Sequence, residues 1–164
     1  MPQRDLLRAP RTPWNSGRLI GPKPPLNPKH IWATRQLLRS AGKARDLALF
    51  NLALDAKLRG CDLVALRVGD IAIGGAPRHC ANIVQQKTGR PVPFEITEST
   101  RVALAALLAL NVGRADDWLF PSRSRPGAHL TTRQYARLVG AWVAAIELPP
   151  DAYGPTACAA LRAR

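Results

Sequence analysis

The chain has 164 residues, enough for one domain with a true core, and 46% of them are hydrophobic. Aromatic residues make up only 5%, so Leu, Ala and Val must fill that core. Lys and Arg number 24 against 11 acids, a net charge of +13. Such an excess points to a polyanionic partner, nucleic acid ahead of an anionic membrane surface, rather than to an idle solvated face. Cys61, Cys80 and Cys158 are odd in number and show no C-x-x-C spacing, the pattern of a reduced, cytoplasmic protein without disulfides. His30, His79 and His129 are scattered, so no metal site is expected. No signal peptide is apparent at the N-terminus, and the longest apolar run, Val102 to Leu110, is too short to cross a bilayer.

In chain order, residues 1–27 are dense in Arg, Lys and Pro and read as a basic, extended arm, with Trp14, Leu19 and Ile20 available to pin it. A first helix follows, capped by Asn27, with Pro28 in its first turn and Gly42 at its exit. Its inward face carries Ile31, Thr34 and Leu38. A second helix runs from about Lys43 to Leu58, with Leu47, Phe50, Leu54 and Leu58 as one apolar stripe. Arg59-Gly60 interrupts it, and Cys61 to Leu66 reads as one more short helical piece. A β-rich stretch comes next: Val68 to Ile73 before Gly74-Gly75, then His79 to Gln86 and Arg90 to Ile96 as a hairpin around Lys87-Thr88-Gly89. Pro91 and Pro93 confine the second hairpin strand to an edge.

A third helix, about Glu98 to Leu110 with Thr97 as its cap, is apolar nearly all round and is expected to be buried. Trp118-Leu119-Phe120-Pro121 reads as an anchor, and Ser122 to Gly127 as a basic loop. The fourth helix is the clearest. Thr131 and Gln134 make a capping box, and Tyr135, Leu138, Val139, Trp142, Val143 and Ile146 share one apolar face before Pro149-Pro150 ends it. Helices, then a small sheet, then helices give an α+β, mainly α architecture.

Four segments carry a resemblance. Leu58-Arg59-Gly60-Cys61-Asp62-Leu63 leads into Leu66-Arg67-Val68-Gly69-Asp70-Ile71; the hairpin Gln85-Gln86-Lys87-Thr88-Gly89-Arg90-Pro91-Val92-Pro93-Phe94 follows; then come Trp118 to Pro121 and the helix from Thr131 to Ile146. Their order and spacing resemble the catalytic domain of tyrosine recombinases (phage integrases), over about residues 13–154. The resemblance implies a family that breaks and rejoins DNA through a tyrosyl–phosphate link, without metal, nucleotide or other cofactor. It assigns Arg59 to the first catalytic arginine, Lys87 to the hairpin lysine that protonates the leaving oxygen, Arg90 to the DNA backbone and Asp62 to a supporting role, as a local cap or pair. The residue types suit the chemistry: an arginine fork matches two phosphate oxygens, and a lysine among cations holds a transferable proton. The expected partner is double-stranded DNA, with other recombinase protomers, no membrane and no small-molecule substrate.

The resemblance stops at Tyr153-Gly154. Where the family reads a His-x-x-Arg box, this chain reads Pro155 to Arg164, with no histidine and the arginines out of place. With suitable codons, the family box read one base out of register reproduces the first eight of these residues, Pro155 to Arg162, so 155–164 is read as a frameshifted tail. Tyr135 lies on an apolar helix face and Tyr153 precedes the box, so neither matches the family nucleophile, and His129 has no counterpart. The expectation is a DNA-binding part of a recombinase that does not cleave by itself, with the fourth helix's apolar face lacking part of its cover and the fold marginally stable. Rival readings are a DNA-binding protein that occupies recombination sites without catalysis, and an enzyme completed in trans by a partner chain.

Overall fold

Helix α2 (Ala44–Ala56) is the axis around which the other elements pack. The computed structural model describes residues 24–110 and 113–153, so most of the basic arm and the whole 155–164 tail lie outside the described residues. The expected single stripe understates α2: Ala48, Leu49, Leu52 and Ala53 are buried along with Phe50 and Leu54, so the helix is enclosed on nearly every side. Its small alanines let neighbours approach closely, while each buried leucine contributes about 1.5–3 kcal/mol. The helix ends at Lys57, which turns into the left-handed region at φ 49°, so Leu58 is buried beyond the helix and not within it.

Helix α1 (Pro28–Ser40) begins as its sequence requires. Asn27 Oδ1 accepts the His30 amide at 2.9 Å, and Pro28 occupies the first turn. Leu26, within the segment read as an arm, is 2% exposed and belongs to the core, at the position from which a hydrophobic staple closes on Ile31. Helix α6 (Thr132–Ala145) has the expected capping box, with Gln134 N–H donating to Thr131 Oγ1 at 3.2 Å and Thr131 N–H to Gln134 Oε1 at 2.9 Å. Its apolar face is not left open. Tyr135, Val139, Trp142 and Val143 are all at most 4% exposed, with Trp142 edge-on to Phe50 of α2 at 5.6 Å. The chain's own helices supply most of the cover that was expected to come from further elements, and leave Leu138 and Ile146 half-buried.

Helix α5 (Glu98–Leu110) departs in the other direction. Thr100, Ala103, Leu104 and Leu107 are buried against α2, but Val102 is 59% and Leu110 72% exposed. Its apolar circumference therefore does not report burial; one side meets α2 and the other faces outward. Thr97 does precede it, but its hydroxyl and its N–H both donate to Asp55 Oδ2 at 2.9 Å, tying the start of α5 to the last turn of α2.

The stretch read as a strand from Val68 to Ile73 is mostly a helical turn, α4 (Val68–Ile71), after α3 (Gly60–Val64). The cause is side-chain and loop chemistry that outcompetes a ladder. Asp70 accepts the Arg67 N–H at 2.8 Å, and the Val68 and Gly69 amides donate to the Asp117 and Ala115 carbonyls at 2.9 Å. Only Ala72–Ile73 (β1) is extended; it pairs with β2 (Ala76–Pro77) across Gly74-Gly75, both at positive φ as a tight hairpin demands. The main ribbon pairs β3 (Cys80–Val84) antiparallel to β4 (Pro91–Glu95), with Asn82 opposite Pro93 and Val84 opposite Pro91. Bonds from Gln85 N–H to Arg90 O and from Ile96 N–H to His79 O set the phase, so both prolines stand where an amide would point away from β3. The Trp118–Pro121 anchor forms as expected: Leu119 N–H donates to Leu66 O at 2.9 Å, and Leu119 and Phe120 are buried.

Candidate nucleic-acid interface

Arg59 stands in extended conformation (φ −63°, ψ 148°) at the junction of α2 and α3. Two features fix it there. Its carbonyl accepts the Leu63 N–H at 3.0 Å, which starts α3, and the Tyr135 ring of α6 packs against the next residue, 3.4 Å from where a side chain on Gly60 would begin. The guanidinium projects outward and donates from one NH to Gln85 Oε1 at 3.4 Å. Gln85 ends the first arm of the ribbon, so the contact joins Arg59 to the hairpin that carries Lys87.

The hairpin turn is closed on itself. Gly89 N–H donates to Gln85 O at 2.8 Å, and Thr88 Oγ1 donates to Gln85 Oε1 at 3.0 Å, so one glutamine side chain holds both the turn and the arginine. Gly89 sits at φ +63°, which no other L residue adopts as cheaply. Lys87 and Arg90 lie on either side of this turn, both exposed.

Beneath them Asp62 is 3% exposed. The sequence suggests a local cap or pair, but its Oδ1 reaches across to the hairpin and accepts the Gln86 N–H at 3.0 Å. The Gln86 side-chain amide in turn donates to Cys61 O at 3.5 Å. The other carboxylate oxygen, Oδ2, is buried without a hydrogen bond. Asp62 is therefore a strut between α3 and the ribbon, at the cost of one uncompensated oxygen. Sequence reasoning gives Gln85 and Gln86 no role. Two consecutive glutamines before a turn are the available signal, but polar side chains are ordinary there.

Arg59, Lys87 and Arg90 thus share one corner. Among the described residues none of them pairs with a carboxylate; the ion pair there is Arg101 with Glu98, away on α5. Three exposed cations on a corner cross-tied by hydrogen bonds suit the oxygens of phosphate groups. Other residues of interest are not drawn in. His129 packs edge-on against Trp118 at 4.8 Å, an anchoring contact. Tyr135 is 1% exposed in the core, and Tyr153 lies half-buried with its ring 6.2 Å from His30. Cys61 and Cys80 are free thiols, and among the described residues no cluster of metal-ligating side chains forms and no helix is long and apolar enough to cross a membrane.

No protein-family model and no curated protein matches the sequence. Solved structures do. XerA recombinase superposes with a TM-score of 0.68 at 17% identity, over 91% of this chain and 51% of that one. The Tn1549 transposon integrase in complex with transposon right-end DNA gives 0.69 at 15%, over 87% and 52%. Lambda integrase bound to DNA gives 0.53 at 14%, over 89% and 46%. The chain has the recombinase and integrase fold. It spans about half the length of the structures it matches, and the recombinase fold is reached here with few shared residues, so the likeness rests on the arrangement of helices and the ribbon. The α+β, mainly α reading with a small antiparallel component agrees with it, the component being two separate two-stranded ribbons.

Proposed function

We propose that this chain is a DNA-binding portion of a tyrosine-recombinase-like protein, with Arg59, Lys87 and Arg90 directed at the phosphates of duplex DNA. One observation carries the reading: Gln85 and Asp62 hold the α3 arginine and the lysine hairpin as a single cationic corner, in a fold common to DNA-bound integrases. In that reading Arg59 grips two phosphate oxygens, Lys87 offers a proton to an oxygen leaving phosphorus, and Asp62 keeps the two in register.

On their own, these 164 residues bind without cutting. Of their two tyrosines, Tyr135 is enclosed by the core with its ring against Gly60, and Tyr153 is half-buried beside α1; both precede the place of the His-x-x-Arg box, whereas the family nucleophile follows that box. Without a nucleophile the covalent step is lost outright. The decisive experiment offers the chain a nicked suicide duplex and a plain duplex. Binding that falls steeply with salt, with no protein–DNA adduct on a denaturing gel, is the expected result. An adduct through either tyrosine defeats the non-cleaving part; absence of binding at low salt defeats the whole. The 155–164 segment is read as a shifted frame, and translating the locus in all frames past the Gly154 codon tests that: a His-x-x-Arg box should appear one base out of register.

A further inference from the structure

The far end of α2 carries a second concentration of positive charge that DNA binding at the hairpin does not use. It lies roughly 18 Å from the Arg59 corner at 1.5 Å rise per residue along the 13-residue helix. A groove of about 620 Å³ opens there between the first turn of α2, the Pro121–Arg123 loop and the end of α5. A smaller hollow of about 230 Å³ continues it past Arg123 and Leu138 to Arg137 on α6.

The groove's chemistry is uneven. Arg45 donates to Pro121 O at 2.6 Å, while its Nε is buried without a partner. Burial pushes this guanidinium below its ordinary pKa, the nearby Arg123 pushes it the same way, and Asp46 opposes both. Lys43, Arg123 and Arg137 are exposed around the rim, against the single buried carboxylate of Asp46. Lys43 starts α2 without a side-chain cap, so the helix's own positive end adds to the field. Beside these charges stand Leu110, 72% exposed, and the half-buried Leu138.

We propose that this groove docks an acidic amphipathic segment of a partner protein, its carboxylates meeting Lys43, Arg123 and Arg137 and its apolar side chains covering Leu110 and Leu138. Charge complementarity selects an acidic partner. The leucines select against duplex DNA, whose backbone presents phosphates but no apolar group to cover an exposed leucine, and which is too broad to enter a groove of about 620 Å³. A helix that alternates carboxylates with leucines meets both demands at once.

The test uses the full 164-residue chain and a short labelled peptide with Leu at helical spacing and Glu between, beside a twin in which every Glu is Gln. Saturable anisotropy is expected for the Glu peptide, with affinity at least about tenfold weaker for the twin. Arg123→Glu combined with Arg137→Glu, and separately Leu110→Ser, should each weaken binding by about tenfold; all three positions are exposed, and a melt confirms that the variants fold. Lys87→Ala should leave peptide binding unchanged while weakening duplex binding, which separates this surface from the DNA corner. Equal binding of the twin, no saturable binding, or indifference to the double charge reversal overturns the proposal. So does a double reversal that lowers duplex binding as much as Lys87→Ala does, since the groove is then a DNA contact.

Discussion

The two ends of α2 hold similar charges in opposite ways. At its C-terminal end, Arg59 and the Lys87 hairpin are bound into one body by Gln85, Gln86 and the buried Asp62. At its N-terminal end, Arg45 and Arg123 stand close enough to repel, and one arginine nitrogen is buried without a partner. The first end is arranged before any ligand arrives; the second is left electrostatically unbalanced. Pre-arrangement suits a site that must hold atoms in register. Imbalance suits a surface whose counter-charge comes from a partner.

The largest effect should come from stripping the ordered corner of its charge. Arg59→Ala and Lys87→Ala should each reduce the salt slope of duplex binding by about 0.9, additively in the double variant; filter binding across a salt series measures it, and an unchanged slope removes these residues from the interface. Removing the strut comes next. Asp62→Ala should lower stability by about 1–3 kcal/mol, because the Gln86 N–H loses its buried acceptor, whereas Asp62→Asn keeps an acceptor and should cost less. Denaturant melts of the two variants decide it, and equal loss would mean that the carboxylate's charge matters more than its bond.

Gly89→Ala should cost about 1 kcal/mol, since the turn sits at positive φ, and should loosen the Lys87 hairpin as read by amide exchange at Gln85 and Gln86. The smallest effect has the opposite sign. Arg123→Gln relieves the repulsion on Arg45 and should raise stability by up to about 1 kcal/mol, a shift that fades with added salt. A destabilised Arg123→Gln variant would show that the N-terminal end is balanced by contacts of its own.

The ribbon, the capping residues and the Trp118 anchor are legible in the sequence because each rests on local chemistry: alternation around Lys87-Thr88-Gly89, Asn27 and Thr131 ahead of apolar periods, an aromatic run before Pro121. The misreadings fall where distant groups decide. Val68 to Ile73 has strand-like composition, but the carbonyls of Asp117 and Ala115, far along the chain, take the amides that a ladder would need. Composition also misleads on α5, whose all-round apolar character hides an outward side that includes Val102 and Leu110. Ala105, Ala106 and Ala109 share that exposure and are small enough to meet solvent at little cost, which an apolar count does not reveal. The candidate site is half legible. Arg59 and Lys87 can be placed by their motifs, but the Gln85 and Asp62 ties that join them run between segments distant in sequence and leave no local pattern.

The two prolines of β4 have a consequence for how copies of this chain meet. A two-stranded ribbon leaves an outer edge on each strand, and an unpaired edge is a template on which another chain can zip, backbone to backbone. Pro91 and Pro93 delete two successive donors from the outer edge of β4, so a visiting strand finds carbonyls there but no amides at those positions. The chain already presents Val102 and Leu110 to solvent. With that edge closed to cross-β growth, a copy that arrives on the β4 side is left to side-chain packing, which is reversible, and strand-by-strand growth can start only from the outer edge of β3.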